Sequence, residues 1–202
     1  MTIAFYLQDG VEILDFAGPM EVFAYAGFRV FTVSKEKTPI RTQGILQFIP
    51  DYSIEDAPEA EIMAFFGGNS NLPTQDEEVI DWVKSRIEQT DYFFSVCTGA
   101  FIIGKAGLLD GMTVTTFHNA IKGLRKQFPK ADVRSDVRFV DNGKLITTAG
   151  VSAGIDGALH LVAKLKGLKA AQDAAYYMEY DKWEPGDGLI LDEKTKAAYA
   201  KK

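Results

Sequence analysis

Four short stretches of the chain are largely apolar without alternation: Ile3 to Leu7, Val30 to Val33, Ile62 to Phe66 and Tyr92 to Val96. Runs of this length and character predict strands buried on both faces. Between them the period changes. From Thr74 to Glu88 the apolar positions Val79, Ile80, Val83 and Ile87 fall on one helical stripe, and Thr74 with Glu77 reads as a capping box at its start. Two further helices are predicted, one from about His118 to Phe128, stopped by Pro129, and one from about Ala153 to Leu165, stopped by Gly167. Strands alternating with helices imply parallel crossovers and the α/β class. Ile40 to Ile49 and Val133 to Thr148 break this rhythm. The second holds Asp141-Asn142-Gly143 between two strand-like runs, a hairpin signal that makes the sheet mixed at its margin.

Composition narrows the class without naming a function. The 202 residues are 47% hydrophobic and 25% charged, and no repeat, linker or composition break divides them. A single domain is expected from residue 1 to about 191, followed by a polar tail, 192–202, that carries four lysines and reads as a surface helix or a frayed end. The formal charge of -6 offers no general attraction to nucleic acid or anionic lipid, so neither is an expected partner. The first apolar run has no basic segment before it and meets Asp9 and Glu12 at once, unlike an export signal. Cys97 is the only cysteine, which excludes an intramolecular disulfide and fits a reducing cytoplasm. His118 and His160 are the only histidines and neither sits in a metal-ligand pattern, so no metal is expected.

The informative segment is YFFSVCTGAFIIGKAGLLDG, where an apolar strand ends at Cys97 and a small-residue helix opens at Thr98-Gly99-Ala100. A sulfur at a helix N-terminus meets unpaired N–H groups that favour thiolate, so Cys97 reads as a reactive thiol; the alternative is a buried structural cysteine. Two further positions follow apolar strands, Gly67-Gly68 and Asp15, and in a parallel sheet such positions share one edge with Cys97. The glycine pair presents amides to an anion or simply turns the chain. Asp15 is either an acid/base group beside the thiol or the cap of a helix opening near Pro19. His160 falls with Asp156 and Lys164 on a polar helix face opposite Ile155, Leu159 and Val162, and is expected to be structural or solvated. His118 is an active-site rim residue or a helix start.

Taken in order, ILDFAGPMEVF, FFGGNSN, SVCTGAFIIGKAGLLDG, TTFHNAI, DNGKLITTAGVSAGIDGALHLV and AAYYMEY resemble the DJ-1/PfpI superfamily. The branch in question holds isonitrile hydratase and the ligand domains of AraC-type regulators. The resemblance implies a flavodoxin-like three-layer α/β sandwich with a mainly parallel sheet, a nucleophile elbow and a homodimer. It makes Cys97 the nucleophile, Asp15 the acid/base residue and Thr98 the neighbour that orients them, with Gly67, Gly68, Thr98 and His118 around the substrate and no cofactor. The expected activity is hydration of a small electrophile, an isonitrile giving a formamide through a thioimidate. A thiol-based sensor, a glyoxalase-like enzyme or another thiol hydrolase are the alternatives. Phe117 stands where many members of the branch carry histidine, and Thr98 replaces the dyad histidine of protease-like members, which argues against peptidase activity. Only eleven residues follow Leu191, too few for a DNA-binding module, so a direct transcription factor is not expected.

Overall fold

The computed structural model describes residues 1–199. The chain opens with β1 (Thr2–Tyr6), α1 (Ile13–Tyr25) and β2 (Arg29–Ser34), then β3 (Ile40–Arg41), β4 (Gln47–Phe48) and β5 (Tyr52–Ser53). β6 (Ile62–Phe65) leads through α2 (Asn71–Gln75) and α3 (Glu77–Ser85) to β7 (Tyr92–Val96) and α4 (Gly99–Lys105). β8 (Thr113–Val114), α5 (Ile121–Gln127) and β9 (Asp132–Val133) precede the hairpin of β10 (Phe139–Asp141) and β11 (Leu145–Thr148). The chain then continues through α6 (Ala153–Lys166), α7 (Leu168–Tyr177), β12 (Leu189–Ile190) and α8 (Glu193–Tyr199).

Eight strands form one sheet in the order β12-β10-β11-β7-β6-β1-β2-β5. Every pairing in it is parallel except β10 with β11, the hairpin expected around Asn142-Gly143. Alternation along β1 separates two cores, as the period of two demands. Ile3, Phe5 and Leu7 pack with α1, α6 and α7, whereas Ala4 and Tyr6 pack with α3, α4 and α5. The result is a three-layer α/β sandwich. The strands β1, β6, β7 and β11 all end at the same edge, which brings the segments after Leu7, Phe66, Val96 and Thr148 together. None of the helices among the described residues is long and apolar enough to cross a membrane.

Several local expectations are corrected. The capping box at Thr74 does not form: α3 starts at Glu77, and the Asp76 carboxylate accepts from the amides of Glu78 and Val79, so an aspartate caps more effectively than the threonine two residues earlier. Helix α1 opens at Ile13, not near Pro19, which lies inside it. The 40–48 hairpin forms a separate two-stranded sheet rather than a margin of the main one. His160 is fully buried, because the face it shares with Asp156 and Lys164 meets β10 and the C-terminal segment instead of solvent. Its Nε2 pairs with Asp141 at 2.8 Å and its Nδ1 with the Tyr199 hydroxyl at 3.1 Å. Lys164 reaches the same Asp141 at 2.9 Å and Asp192 at 3.2 Å. Residues 193–199 are therefore a docked helix, the surface-helix alternative for this segment.

Small residues set the spacing between α6 and its neighbours. A Cβ on Gly157 would lie 2.3 Å from Thr148 Cγ2 and 3.2 Å from the Phe94 ring, and one on Gly18 would lie 2.7 Å from Ile155. Gly157→Ala is expected to force α6 away from β11 at a cost of about 1–3 kcal/mol. Thermal unfolding followed by circular dichroism should show a Tm several degrees lower; an unchanged Tm would mean that the helix shifts freely and does not fix the sheet edge.

Candidate active site

The turn after β7 is an elbow. Cys97 has φ +58°, a left-handed conformation that a residue with a Cβ adopts at a cost of about 1–3 kcal/mol. Neighbours hold it there: the Cys97 amide donates to the Ala149 carbonyl at 3.0 Å, and the Thr116 hydroxyl donates to the Cys97 carbonyl at 2.7 Å. The helix behind it packs against β6 so closely that a Cβ on Gly99 would stand 2.3 Å from the Phe65 carbonyl oxygen. Strand, strained cysteine and glycine-led helix together present the sulfur at the sheet edge, only 6% exposed.

Asp15 comes to the same point from the first turn of α1. It does not cap that helix, whose N-cap is Glu12. Its carboxylate instead accepts from two distant backbone amides, Gly67 at Oδ2 and Val151 at Oδ1, each at 2.9 Å. Val151 donates from φ +56°, an outlier for a β-branched residue. A Cβ on Gly67 would lie 2.7 Å from Asp15 Oδ2 and 2.7 Å from Cys97 Sγ, so glycine is the one residue that lets carboxylate and thiol meet.

Burial dominates the electrostatics. Desolvation raises the Asp15 carboxyl to about 6, against the opposing pull of the Gly67 and Val151 amides and of the Cys97 thiol. Desolvation likewise pushes the Cys97 thiol up to about 12, and the charge of Asp15 adds to that; the Thr98 amide and hydroxyl pull it down by less. Burial and the neighbouring carboxylate thus work against the thiolate that the helix N-terminus would favour. Helix α4 has only seven residues, and its N-terminal amides do not outweigh a buried carboxylate beside the sulfur. Burial pushes both groups toward their protonated forms, so thiol and carboxyl compete for charge at one buried point.

The other expected positions divide. Gly67 does not offer its amide to a ligand, because that N–H is committed to Asp15. Gly68, at φ +88°, donates its amide to no protein acceptor among the described residues, and its N–H is free for an anion. Thr98 lies next to the sulfur, with a buried hydroxyl that has no fully formed hydrogen bond. His118 is exposed in a short 3₁₀ turn, its ring 4.2 Å from that of Phe117 and tilted 56° to it. Phe117 packs so tightly on Gly150 that a Cβ there would lie 2.4 Å from its ring. Three participants were not legible as such: Val151, Thr116 and Gln8, whose buried carboxamide donates to the carbonyls of Phe66 and Gly67 at 3.1 Å each. The only sequence signal is position, since Gln8 and Val151 follow strands at the shared edge and Thr116 follows β8 of the separate β8-β9 pair. Among the described residues, no three of His, Cys, Asp and Glu cluster as a metal site would require.

An elbow cysteine paired with a buried carboxylate on a mainly parallel sheet now meets its relatives. The model of the DJ-1/PfpI family matches residues 1–164. The chain belongs to that family. Isonitrile hydratase of Pseudomonas putida, a DJ-1/PfpI relative, is 34% identical over 208 residues, covering 98% of this chain and 90% of the relative. The HTH-type transcriptional regulator GbdR of Pseudomonas aeruginosa is 24% identical over 187 residues, 88% of this chain, which spans about half (51%) of the regulator's length. The crystal structure of a ThiJ/PfpI family protein from Pseudomonas syringae superposes with a TM-score of 0.83 at 29% identity, covering 91% of this chain and 76% of that one. The fold is the flavodoxin-like α/β sandwich of the DJ-1/PfpI proteins.

Alkylation by iodoacetamide measured against pH should show a Cys97 midpoint well above the ~8.5 of a free thiol. Asp15→Asn removes a charge that raises the thiol, so its midpoint should fall below that of the wild type. A wild-type midpoint at or below ~8.5 would mean that the helix end and Thr98 govern the sulfur after all.

Proposed function

We propose that this chain is a cofactor-free, cysteine-dependent hydratase of small electrophiles, acting on an isonitrile to give an N-substituted formamide. The observation that carries the reading is the meeting of the Asp15 carboxylate and the Cys97 sulfur over Gly67, a general base already in place beside a protonated nucleophile. The similarity to isonitrile hydratase supports the choice of substrate.

In this mechanism Asp15 takes the thiol proton as sulfur attacks the terminal carbon of the isonitrile. A carbon–sulfur bond forms, and the proton passes to the same carbon, leaving a thioimidate, R–N=CH–S–Cys97. Water then adds to that carbon and gives its proton to Asp15. The nitrogen is protonated, the carbon–sulfur bond breaks, and R–NH–CHO leaves with the thiol restored, one water having been consumed. The free amide of Gly68 and the amide of Thr98 offer donors to charge that develops on the tetrahedral adduct.

A non-catalytic thiol sensor is the competing reading. Sensor cysteines are low in pKa and accessible; Cys97 is raised to about 12 and nearly buried, which favours in-place activation by Asp15 over reaction with diffusing oxidants. The reading includes a cytoplasmic homodimer. Its support is the aromatic surface of α1 and α7, where Tyr25 and Tyr177 stack at 4.3 Å and Tyr176 is 87% exposed.

Cyclohexyl isocyanide should give N-cyclohexylformamide over many turnovers, with Cys97→Ser inactive and Asp15→Asn slowed by about 10²-fold or more. Because the base must be ionised, kcat/KM should rise with pH through about 6 and level off above it, and this step should vanish in Asp15→Asn. Consumption of one equivalent per chain would instead establish a sensor, and catalytic loss of methylglyoxal without formamide would establish a glyoxalase-like enzyme.

A further inference from the structure

Gln8 follows β1 and is 3% exposed, and its carboxamide makes no hydrogen bond to Cys97 or Asp15 yet is spent in an uncommon way. Nε2 donates to two successive carbonyls, Phe66 and Gly67, at 3.1 Å each, while Oε1 is buried with no partner among the described residues. Buried polar atoms are nearly always satisfied, and the exceptions concentrate where a group is kept for another purpose. An apolar side chain here would leave no orphaned oxygen. What it would not supply is the N–H pair that holds the glycine turn.

The orientation of that turn follows from the bonds around it. The Gly67 carbonyl accepts from Gln8 Nε2 at 3.1 Å and from the Glu12 amide at 3.2 Å, both in the segment after β1. A trans peptide is planar, so the N–H of Gly68 points the opposite way from the Gly67 carbonyl, away from that segment. The antiparallel bridge between Val11 and Gly68 agrees. Its bonds are made by the flanking residues, Asn69 to Gly10 at 2.9 Å and Glu12 to Gly67, so Gly68 itself turns its amide outward. Because β6 lies between β1 and β7, outward is the side on which Cys97 ends its strand.

We propose that Gln8 is a positioning residue of this site, whose carboxamide locks the Gly67–Gly68 peptide so that the Gly68 N–H faces the Cys97 sulfur and receives negative charge there. The kinetic part of this proposal rests on the hydratase reading; the orientation of the amide does not. Glu12 alone holds the carbonyl at one point and leaves the peptide free to rock, whereas a second donor from Gln8 fixes its plane.

The test separates an oriented anion donor from simple packing by comparing alkylation of Cys97 by iodoacetate and by neutral iodoacetamide at pH 8, in the wild type, Gln8→Met and Gln8→Glu. An amide aimed at the sulfur favours the anionic reagent, so the iodoacetate-to-iodoacetamide rate ratio should fall about fivefold or more in Gln8→Met while the iodoacetamide rate stays within about twofold. Gln8→Glu keeps the shape but has no donor when ionised; its ratio should be low at pH 8 and recover toward the wild-type ratio at acid pH, where the carboxylic acid donates again. With cyclohexyl isocyanide, Gln8→Met should lose about tenfold in kcat with little change in KM. If Gln8→Met does not fold, Gln8→Leu, neutral and equally without a donor, takes its place, because the charge of ionised Gln8→Glu repels iodoacetate on its own account. Ratios that stay at the wild-type value in both variants, or equal falls with both reagents, overturn the proposal. A wild type that shows the ratio effect but forms no formamide overturns the hydratase reading and leaves the positioning role standing.

Discussion

A carboxylate with no exposure to water is the constraint around which the shared sheet edge is built. Burial raises the Asp15 carboxyl to about 6, and two backbone amides from opposite parts of the sheet edge, which favour its charged form, oppose that rise. The sign of the cost is clear. The folded state holds the proton more tightly than the unfolded chain, so stability falls as pH rises from about 4 to about 6, and above that window the ionised form costs on the order of 3 kcal/mol. Close packing elsewhere offsets this burden. Glycines bring α1 onto α6 and α6 onto β11, and these contacts put Val151 and Asp15 within reach of each other.

The electrostatic arrangement also explains why the sulfur need not be a thiolate at rest. A thiolate and a carboxylate at the same buried point repel, so each raises the cost of ionising the other. In the proposed mechanism, nucleophilicity is generated only when an electrophile arrives to receive the electrons. Backbone strain at Cys97 and Val151 serves the same end, since it aims a sulfur and an N–H at positions that relaxed φ values would not reach.

Much of this was visible in the order of residues, and the remainder was invisible for definite reasons. Apolar runs located β1, β2, β6 and β7, the Asn-Gly pair located the hairpin, and the strand-to-helix step at Cys97 located the elbow. The role of Asp15 stayed open because a carboxylate before a proline looks like a cap, and its true partners are 52 and 136 residues away. Val151 gave no sign because positive φ is usually announced by glycine or asparagine. His160 stayed open between a structural and a solvated role because its helix face is polar, and β10 together with residues 192–199 covers that face and buries it. Gln8 was overlooked because its neighbours in space are main-chain carbonyls, which have no letter in a sequence.

The glycine at position 67 has a consequence for how such a site changes over generations. Replacing Cys97 by a smaller residue leaves a gap that water or another group fills while Asp15 still holds the edge, so a lineage that loses the thiol in this way retains the means to regain it by a single reversal. A side chain at Gly67 acts differently, since it occupies the place where thiol and carboxylate meet and displaces both at once. Recovery then demands several coordinated changes. In descendants of this chain, a retained glycine at 67 would mark a site still open to reactivation, and its loss would mark one that has been left for good.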